Sequence, residues 1–262
     1  MHGLPSSTRR LALGIEYDGS AFCGWQAQSG LRCVESELAA AIARVADHPV
    51  ELVCGGRTDS GVHAAGQVVH FDTPARRRLR AWVLGVNAGL DPRISVSWAA
   101  PVADHFHARF SATARCYRYS ILNRMARSAL AAGRHAWIPY PLDAAAMQQA
   151  ADRLVGEHDF SAFRAAECQS RSTVRRIDAL VVHREGDVVR IDVRANAFLH
   201  HMVRNIAGLL IAVGRGARVP GDVDRILASR DRRQNSATAP AEGLCLMSVV
   251  YPGAFGLPGD PL

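Results

Sequence analysis

The sequence predicts an α+β protein built from two ferredoxin-like split βαβ units, each an antiparallel sheet with helices on one face. Stretches of period-2 apolar alternation interleave with stretches of helical spacing. The order strand, helix, strand, strand, helix, strand occurs twice. A looser stretch rich in Pro, His and Ala, from Ala100 to Thr113, separates the two occurrences. The 262 residues suffice for two modest domains, expected over 1–104 and 105–262 with an active-site cleft between them.

The elements follow in order. Leu11, Leu13, Ile15 and Tyr17 alternate with Ala12, Gly14 and Glu16, a strand closed by the turn pair Asp18-Gly19. Val34, Leu38, Ile42 and Val45 predict a helix over 33–47, stopped before Pro49. Val50 to Cys54 and Gln67 to Phe71 read as strands around the loop Gly55-Gly56-Arg57-Thr58-Asp59-Ser60-Gly61. Leu79, Trp82, Val83 and Val86 predict a helix over 78–88, and Ile94 to Trp98 alternates again. In the second half, strands are expected over 115–122, 174–183, 188–193 and 244–250. Asp143 caps a helix running to about Val155, and a long helix is expected over 197–213 with a short one over 223–229. Four-stranded sheets of this RRM-like kind often serve as RNA platforms, but the fold alone hosts many functions.

Composition narrows the classes. Hydrophobic residues make up 48% and charged residues 21%, which argues against wholesale disorder. The net charge is +7 and all 31 basic residues are arginine. Codon bias accounts for the missing lysine. The excess of cation points to an anionic partner, because guanidinium forks pair bidentately with phosphate. Cys23, Cys33, Cys54, Cys116, Cys168 and Cys245 form no C-x-x-C pair, which argues against a zinc ribbon or redox dithiol. Met1 to Arg10 has no apolar core of signal-peptide length. The apolar run Ala195–Val213 is broken by Asn196, His200, His201, Arg204 and Asn205, too polar to span a bilayer. A soluble, reducing, cytoplasmic setting is the expectation.

Chemistry concentrates in the 55–61 loop. Glycines on both sides let the backbone turn tightly around Arg57 and Asp59. A guanidinium two residues away favours the ionised carboxylate, which suits a nucleophile or general base. The same pair also suits a mere turn brace. No phosphate-cradling G-x-x-x-x-G-K-[ST] occurs, so ATP- or dinucleotide-dependent chemistry has no support. His105, His107, His200 and His201 with Asp59 raise a metal site. Consecutive helical residues such as His200 and His201 would point about 100° apart, however, and H-E-x-x-H is absent. On that helix His201, Arg204, Asn205 and Gly208 share a face that lines a cleft or meets solvent. Tyr117 and Tyr119 point to one side of their strand, where aromatics can stack on a base or pack in a core. Basic clusters at Arg76, Arg77, Arg78 and Arg80, and at Arg230, Arg232 and Arg233, suit phosphate.

Together these residues resemble the bacterial tRNA pseudouridine synthase A family. The motifs are Tyr17-Asp18-Gly19, Gly24-Trp25-Gln26, Gly56 to Ala64, Gly66 to Phe71, Asp104 to Ala114 and Tyr117-Arg118-Tyr119. Asp159-Phe160, Cys168-Gln169-Ser170-Arg171, Asn196 to Ile206 and Ala241 to Leu244 complete the set. They span nearly the whole chain in family order. Ser60 stands where alanine is usual, Cys116 where a basic residue is common, and Ala27 where arginine is frequent.

The resemblance implies an isomerase that converts uridine to pseudouridine at positions 38, 39 and 40 of the tRNA anticodon stem-loop. It implies a homodimer with no cofactor and no metal. By the same resemblance Asp59 is the catalytic aspartate and Arg57 its arginine partner, which helps hold the flipped-out nucleotide. Tyr117 lies beside the uracil, Leu244 forms an apolar wall, and Arg171 and Arg204 are further substrate-binding candidates. Three roles for Asp59 stay open: attack on the sugar, assistance to C2′ deprotonation, or addition to C6 of the ring. Weaker alternatives are a non-catalytic RNA-binding protein and a metal-dependent hydrolase using His105, His107 and Asp59.

Overall fold

A computed structural model describes residues 8–168 and 170–258. Most of the Met1–Arg10 segment, and Gln169 of the Cys168–Arg171 motif, lie outside the described residues. The chain forms mixed α+β structure with mainly antiparallel strands, divided into two compact units. One unit runs up to Thr113 and takes up the chain again from Leu246; the other is Ala114–Cys245. The leading stretch of the first unit thus ends where the Ala100–Thr113 connector ends.

The first unit has strands β1 (Arg9–Tyr17), β2 (Val53–Cys54), β3 (His63–Thr73) and β4 (Ile94–Val102), with helices α1 (Val34–Ala46) and α2 (Leu79–Asn87). The strand β10 (Leu244–Val250) joins this sheet beside β3. Strand β1 lies between β3 and β4, antiparallel to both, and Leu13 stands opposite Val69 on one side and Ala99 on the other. The odd residues Leu11, Leu13 and Ile15 face the helices. Phe71, on the same face, meets Trp82 of α2 edge-on with ring centroids 5.4 Å apart. Both helices bury their apolar stripe, Leu38 and Ile42 on α1 and Trp82 and Val86 on α2.

The alternation in β1 predicts one wet face, yet Ala12 is fully buried. The stretch read as a loose connector covers this second face. Phe106 and Ala108 are fully buried there, and Arg10 donates to the carbonyls of Asp104 and Phe106 at 2.6 and 2.8 Å. The Ala108 N–H donates to His70 Nδ1 at 3.1 Å, so His70 must be neutral at that nitrogen. Burial, aided by Arg10 and His107, pushes the His70 pKa down to about 4 from 6.5. The folded chain therefore binds this proton more weakly than the unfolded chain, and stability falls as pH drops from 6.5 towards 4. The thermal midpoint should decline through that window. In His70→Asn, whose Oδ1 accepts the same N–H without titrating, the decline should be shallower; equal slopes would remove His70 as its source.

The second unit has strands β5 (Ala114–Asn123), β6 (Ala136–Ile138), β7 (Gly156–Asp159), β8 (Val174–Glu185) and β9 (Val188–Ala195). Its helices are α3 (Ala144–Asp152), α4 (Met202–Gly214) and α5 (Asp222–Ser229). The strands lie in the order β5-β9-β8-β7, with β6 parallel to β5. Asp143 caps α3 as predicted, its Oδ1 accepting the N–H groups of Ala145 and Ala146 at 2.9 and 3.0 Å. The short strands β6 and β7 were not predicted.

The helix expected from Ala197 starts instead at Met202. His201 takes a left-handed backbone (φ 60°), which cannot propagate an α-helix. His200 and His201 therefore do not diverge on a helix; their ring centroids lie 4.1 Å apart, the planes tilted by 39°. The predicted stripe is not a solvated face either. Asn205 is fully buried, donates to the Phe163 carbonyl at 2.7 Å, and accepts from Thr238 and Arg232 at 2.7 and 3.0 Å. Among the described residues no helix is long and apolar enough to cross a membrane.

Candidate active site

In the first unit the loop between β2 and β3 is fixed residue by residue. The Gly55 N–H donates to the Val68 carbonyl at 2.7 Å. Gln67, fully buried, clamps Gly56 from both sides: its Oε1 accepts the Gly56 N–H at 3.2 Å and its Nε2 donates to the Gly56 carbonyl at 2.5 Å. Two residues on, Thr58 is held by its side chain and its backbone. Its hydroxyl shares a 2.7 Å hydrogen bond with Tyr17 Oη, and its carbonyl accepts the Trp25 N–H at 3.0 Å. Arg57 between these anchors is exposed, and Asp59 just beyond is half-buried. The far end closes through Gly61 (φ 78°), whose N–H donates to the Phe22 carbonyl at 3.3 Å.

Motifs far apart in sequence thus converge on this loop. Gly24 approaches so closely that a Cβ there would sit 2.9 Å from the Thr58 carbonyl oxygen, and its φ of 85° favours glycine besides. Gly19 lies still closer: a Cβ would fall 1.9 Å from the Val62 carbonyl oxygen. The Gly19 N–H also donates to His63 Nδ1 at 3.1 Å. The result is a half-exposed carboxylate on a stretch of backbone with little room to move. Such preorganisation suits a group that must meet a reacting atom. The neighbouring Cys54 thiol is no competing nucleophile, because burial pushes its pKa up to about 12.

In the second unit Tyr117 and Leu244 are buried, Arg204 is half-buried and Arg171 is exposed. Tyr117 stands on β5 opposite Val193 of β9, its ring edge-on to Phe198 at 5.1 Å. Tyr119, on the same face, is core. Its hydroxyl donates to the Pro240 carbonyl at 2.8 Å, and Gly243 packs so tightly that a Cβ would lie 2.8 Å from its ring. Arg204 Nε donates to the Ala239 carbonyl at 2.9 Å, and the Ala239 N–H donates back to the Arg204 carbonyl at 3.1 Å. Tyr119 and Arg204 thereby seat the segment that leads into Leu244.

Sequence reasoning missed Gln67 as a clamp. Its signal was visible: a glutamine falls where the alternation Gln67, Val69, Phe71 calls for an apolar side chain. A polar group at a core position needs partners, and here they are the backbone of the loop.

The sequence matches the family model for tRNA pseudouridine synthase over residues 14–111 and 150–252. The "tRNA pseudouridine synthase A" of Methylococcus capsulatus is 55% identical, over 96% of this chain and 93% of its own. That of Vibrio cholerae is 53% identical over 97% of this chain and 96% of its own. That of Nitrosococcus oceani is 53% identical over 95% and 96%. The chain therefore belongs to the tRNA pseudouridine synthase family, isomerases acting on tRNA uridine.

Proposed function

We propose that this protein makes pseudouridine at positions 38, 39 and 40 of the tRNA anticodon stem-loop, with Asp59 as its catalytic carboxylate. The observation that carries this reading is the half-buried Asp59 on a loop clamped at Gly56 and Thr58. The reaction breaks the C1′–N1 bond, turns the uracil, forms a C1′–C5 bond, and moves one proton from C5 to N1. Atoms balance and no electron is gained or lost, so the chemistry calls for no cofactor. An ionised carboxylate supplies what the first step lacks, a nucleophile or base at the ribose.

The base must leave its stack before it can turn, at a cost of a few kcal/mol. Arg57, exposed on the loop, offsets part of this by filling the vacated space and contacting phosphate. Tyr117 is the group beside the uracil that takes the C5 proton after the new bond forms, and Leu244 is an apolar wall. Arg171 and Arg204 contact the RNA. The protein works as a homodimer in the cytoplasm.

The test incubates the protein with unmodified tRNA transcripts, with chelator and without nucleotide, and maps pseudouridine by primer extension after carbodiimide treatment. Product confined to positions 38–40 is the expected result. Product elsewhere overturns the site assignment, and chelator-sensitive turnover overturns the cofactor-free mechanism. For Tyr117→Phe, an unchanged single-turnover rate would remove its hydroxyl from proton transfer.

A further inference from the structure

The Asp104–Ala114 stretch has so far served only as a cover for the sheet. Its tip is unusual. Phe110 is 75% exposed, the most exposed Phe, Tyr or Trp side chain among the described residues. Isolated exposed apolar groups are common, but this one is held rigidly. His107 Nδ1 accepts the backbone N–H groups of both Arg109 and Phe110 at 3.2 Å. The Ser111 N–H donates to the His107 carbonyl at 2.8 Å, and Ser111 Oγ accepts the His107 N–H at 2.9 Å. The His107 ring backs the phenyl ring at 4.4 Å, tilted by 31°, and is itself backed by His70 at 4.9 Å. Burial and nearby arginines lower the pKa of both histidines, keeping them the neutral acceptors this turn needs.

The exposed Arg109 adds a cation at the same tip. Its guanidinium carbon lies 5.5 Å from the Phe110 ring centroid. The tip also adjoins the Asp59 loop through one side chain. Tyr251 Oη donates to the Ala108 carbonyl at 2.6 Å, and a Cβ on Gly55 would lie 2.9 Å from that same oxygen. An aromatic face costs nothing to order when it is already locked, and a guanidinium beside it meets the phosphate of whatever base lies on the ring.

We propose that Phe110 and Arg109 form a second tRNA-contact site, in which an unpaired nucleobase stacks on the phenyl ring and Arg109 holds the adjoining phosphate. This rests on the reading of tRNA as substrate. It assigns the contact to a nucleotide near, but other than, the reacting uridine, because the tip adjoins the Asp59 loop through Tyr251 without being part of it. Both residues hold the RNA without touching the reacting atoms.

Single-turnover kinetics with excess enzyme separate binding from chemistry. In Phe110→Ala the enzyme concentration at half-maximal rate should rise about tenfold, with the maximal rate within about twofold of the parent. Phe110→Trp should restore the half-maximal concentration, since an indole stacks at least as well. Arg109→Gln should lower the slope of log affinity against log salt by about 0.7–1, the loss of one phosphate contact. An unchanged half-maximal concentration in Phe110→Ala overturns the proposal. So does a tryptophan variant as impaired as the alanine one, or a fall in maximal rate alone. A change in molecular mass in place of tRNA affinity would make the tip an interface between copies of this chain and equally overturn it. If the parent protein makes no pseudouridine, the functional reading fails instead; tRNA binding by parent and Phe110→Ala then judges the stacking site on its own.

Discussion

Asp59→Asn should abolish pseudouridine formation and leave tRNA bound. The substitution keeps shape and hydrogen-bonding size but removes the charge that the proposed first step uses. Loss of a nucleophile or base that acts as part of a unit costs on the order of 10⁴-fold or more in turnover. The side chain is half-buried and the loop is anchored by its neighbours, through Gln67 on Gly56 and Tyr17 on Thr58. The fold should therefore survive, with a loss of about 1 kcal/mol or less in stability. The measurement is single-turnover conversion of an anticodon-arm transcript, paired with filter binding of the same RNA. Turnover within tenfold of the parent would mean that another group drives glycosidic cleavage.

Gly19→Ala should also slow turnover strongly, although Gly19 carries no reactive group. A methyl there would fall 1.9 Å from the Val62 carbonyl oxygen, far inside contact distance and against backbone that cannot rotate away. Overpacking of this sort costs about 1–3 kcal/mol. The strain enters at the hinge where the Asp59 loop rejoins β3, so the loop must shift. A displacement near 1 Å at a reacting group costs on the order of a hundredfold in rate. Circular dichroism and thermal melting report the fold, and the maximal single-turnover rate reports the loop. A folded variant with parental rate would show that this close approach does not position the carboxylate.

Much of the fold is legible because periodicity is a local signal. Leu11, Leu13 and Ile15 announce a strand, and Leu38 with Ile42 a helix, without reference to any distant residue. What is not legible depends on long-range partners. The Ala100–Thr113 stretch has no period, since its buried Phe106 and Ala108 are shaped by the second face of the sheet, not by a regular element of their own. The strands β6 and β7 exist because longer neighbours pair with them. The start of α4 was misplaced because Ala197, Phe198 and Leu199 extend the apolar pattern ahead of it; His201 belongs to the residue types that more often tolerate a left-handed backbone, but that tolerance alone does not locate a helix start.

The candidate site divides along the same line. Glycines flanking Arg57 and Asp59 mark a special loop in the sequence itself. That Tyr17, Gly24 and Gln67 close around it is a matter of packing, invisible until the strands are paired. The clamp by Gln67 shows how far a single buried amide can reach: one side chain satisfies an N–H and a carbonyl that the turn would otherwise leave without partners.

The return of the chain to its first unit at Leu246 bears on how the molecule comes to be. Val249 and Tyr251 pack against Gly55, so the loop that holds Asp59 lacks part of its support until the last segment has been translated. A nascent polypeptide emerging from the ribosome can finish Ala114–Cys245 while the earlier portion still waits for its closing strand. Premature termination anywhere before that strand would spoil the opening half of the molecule along with the end, and no enzyme active on tRNA would be released half-made.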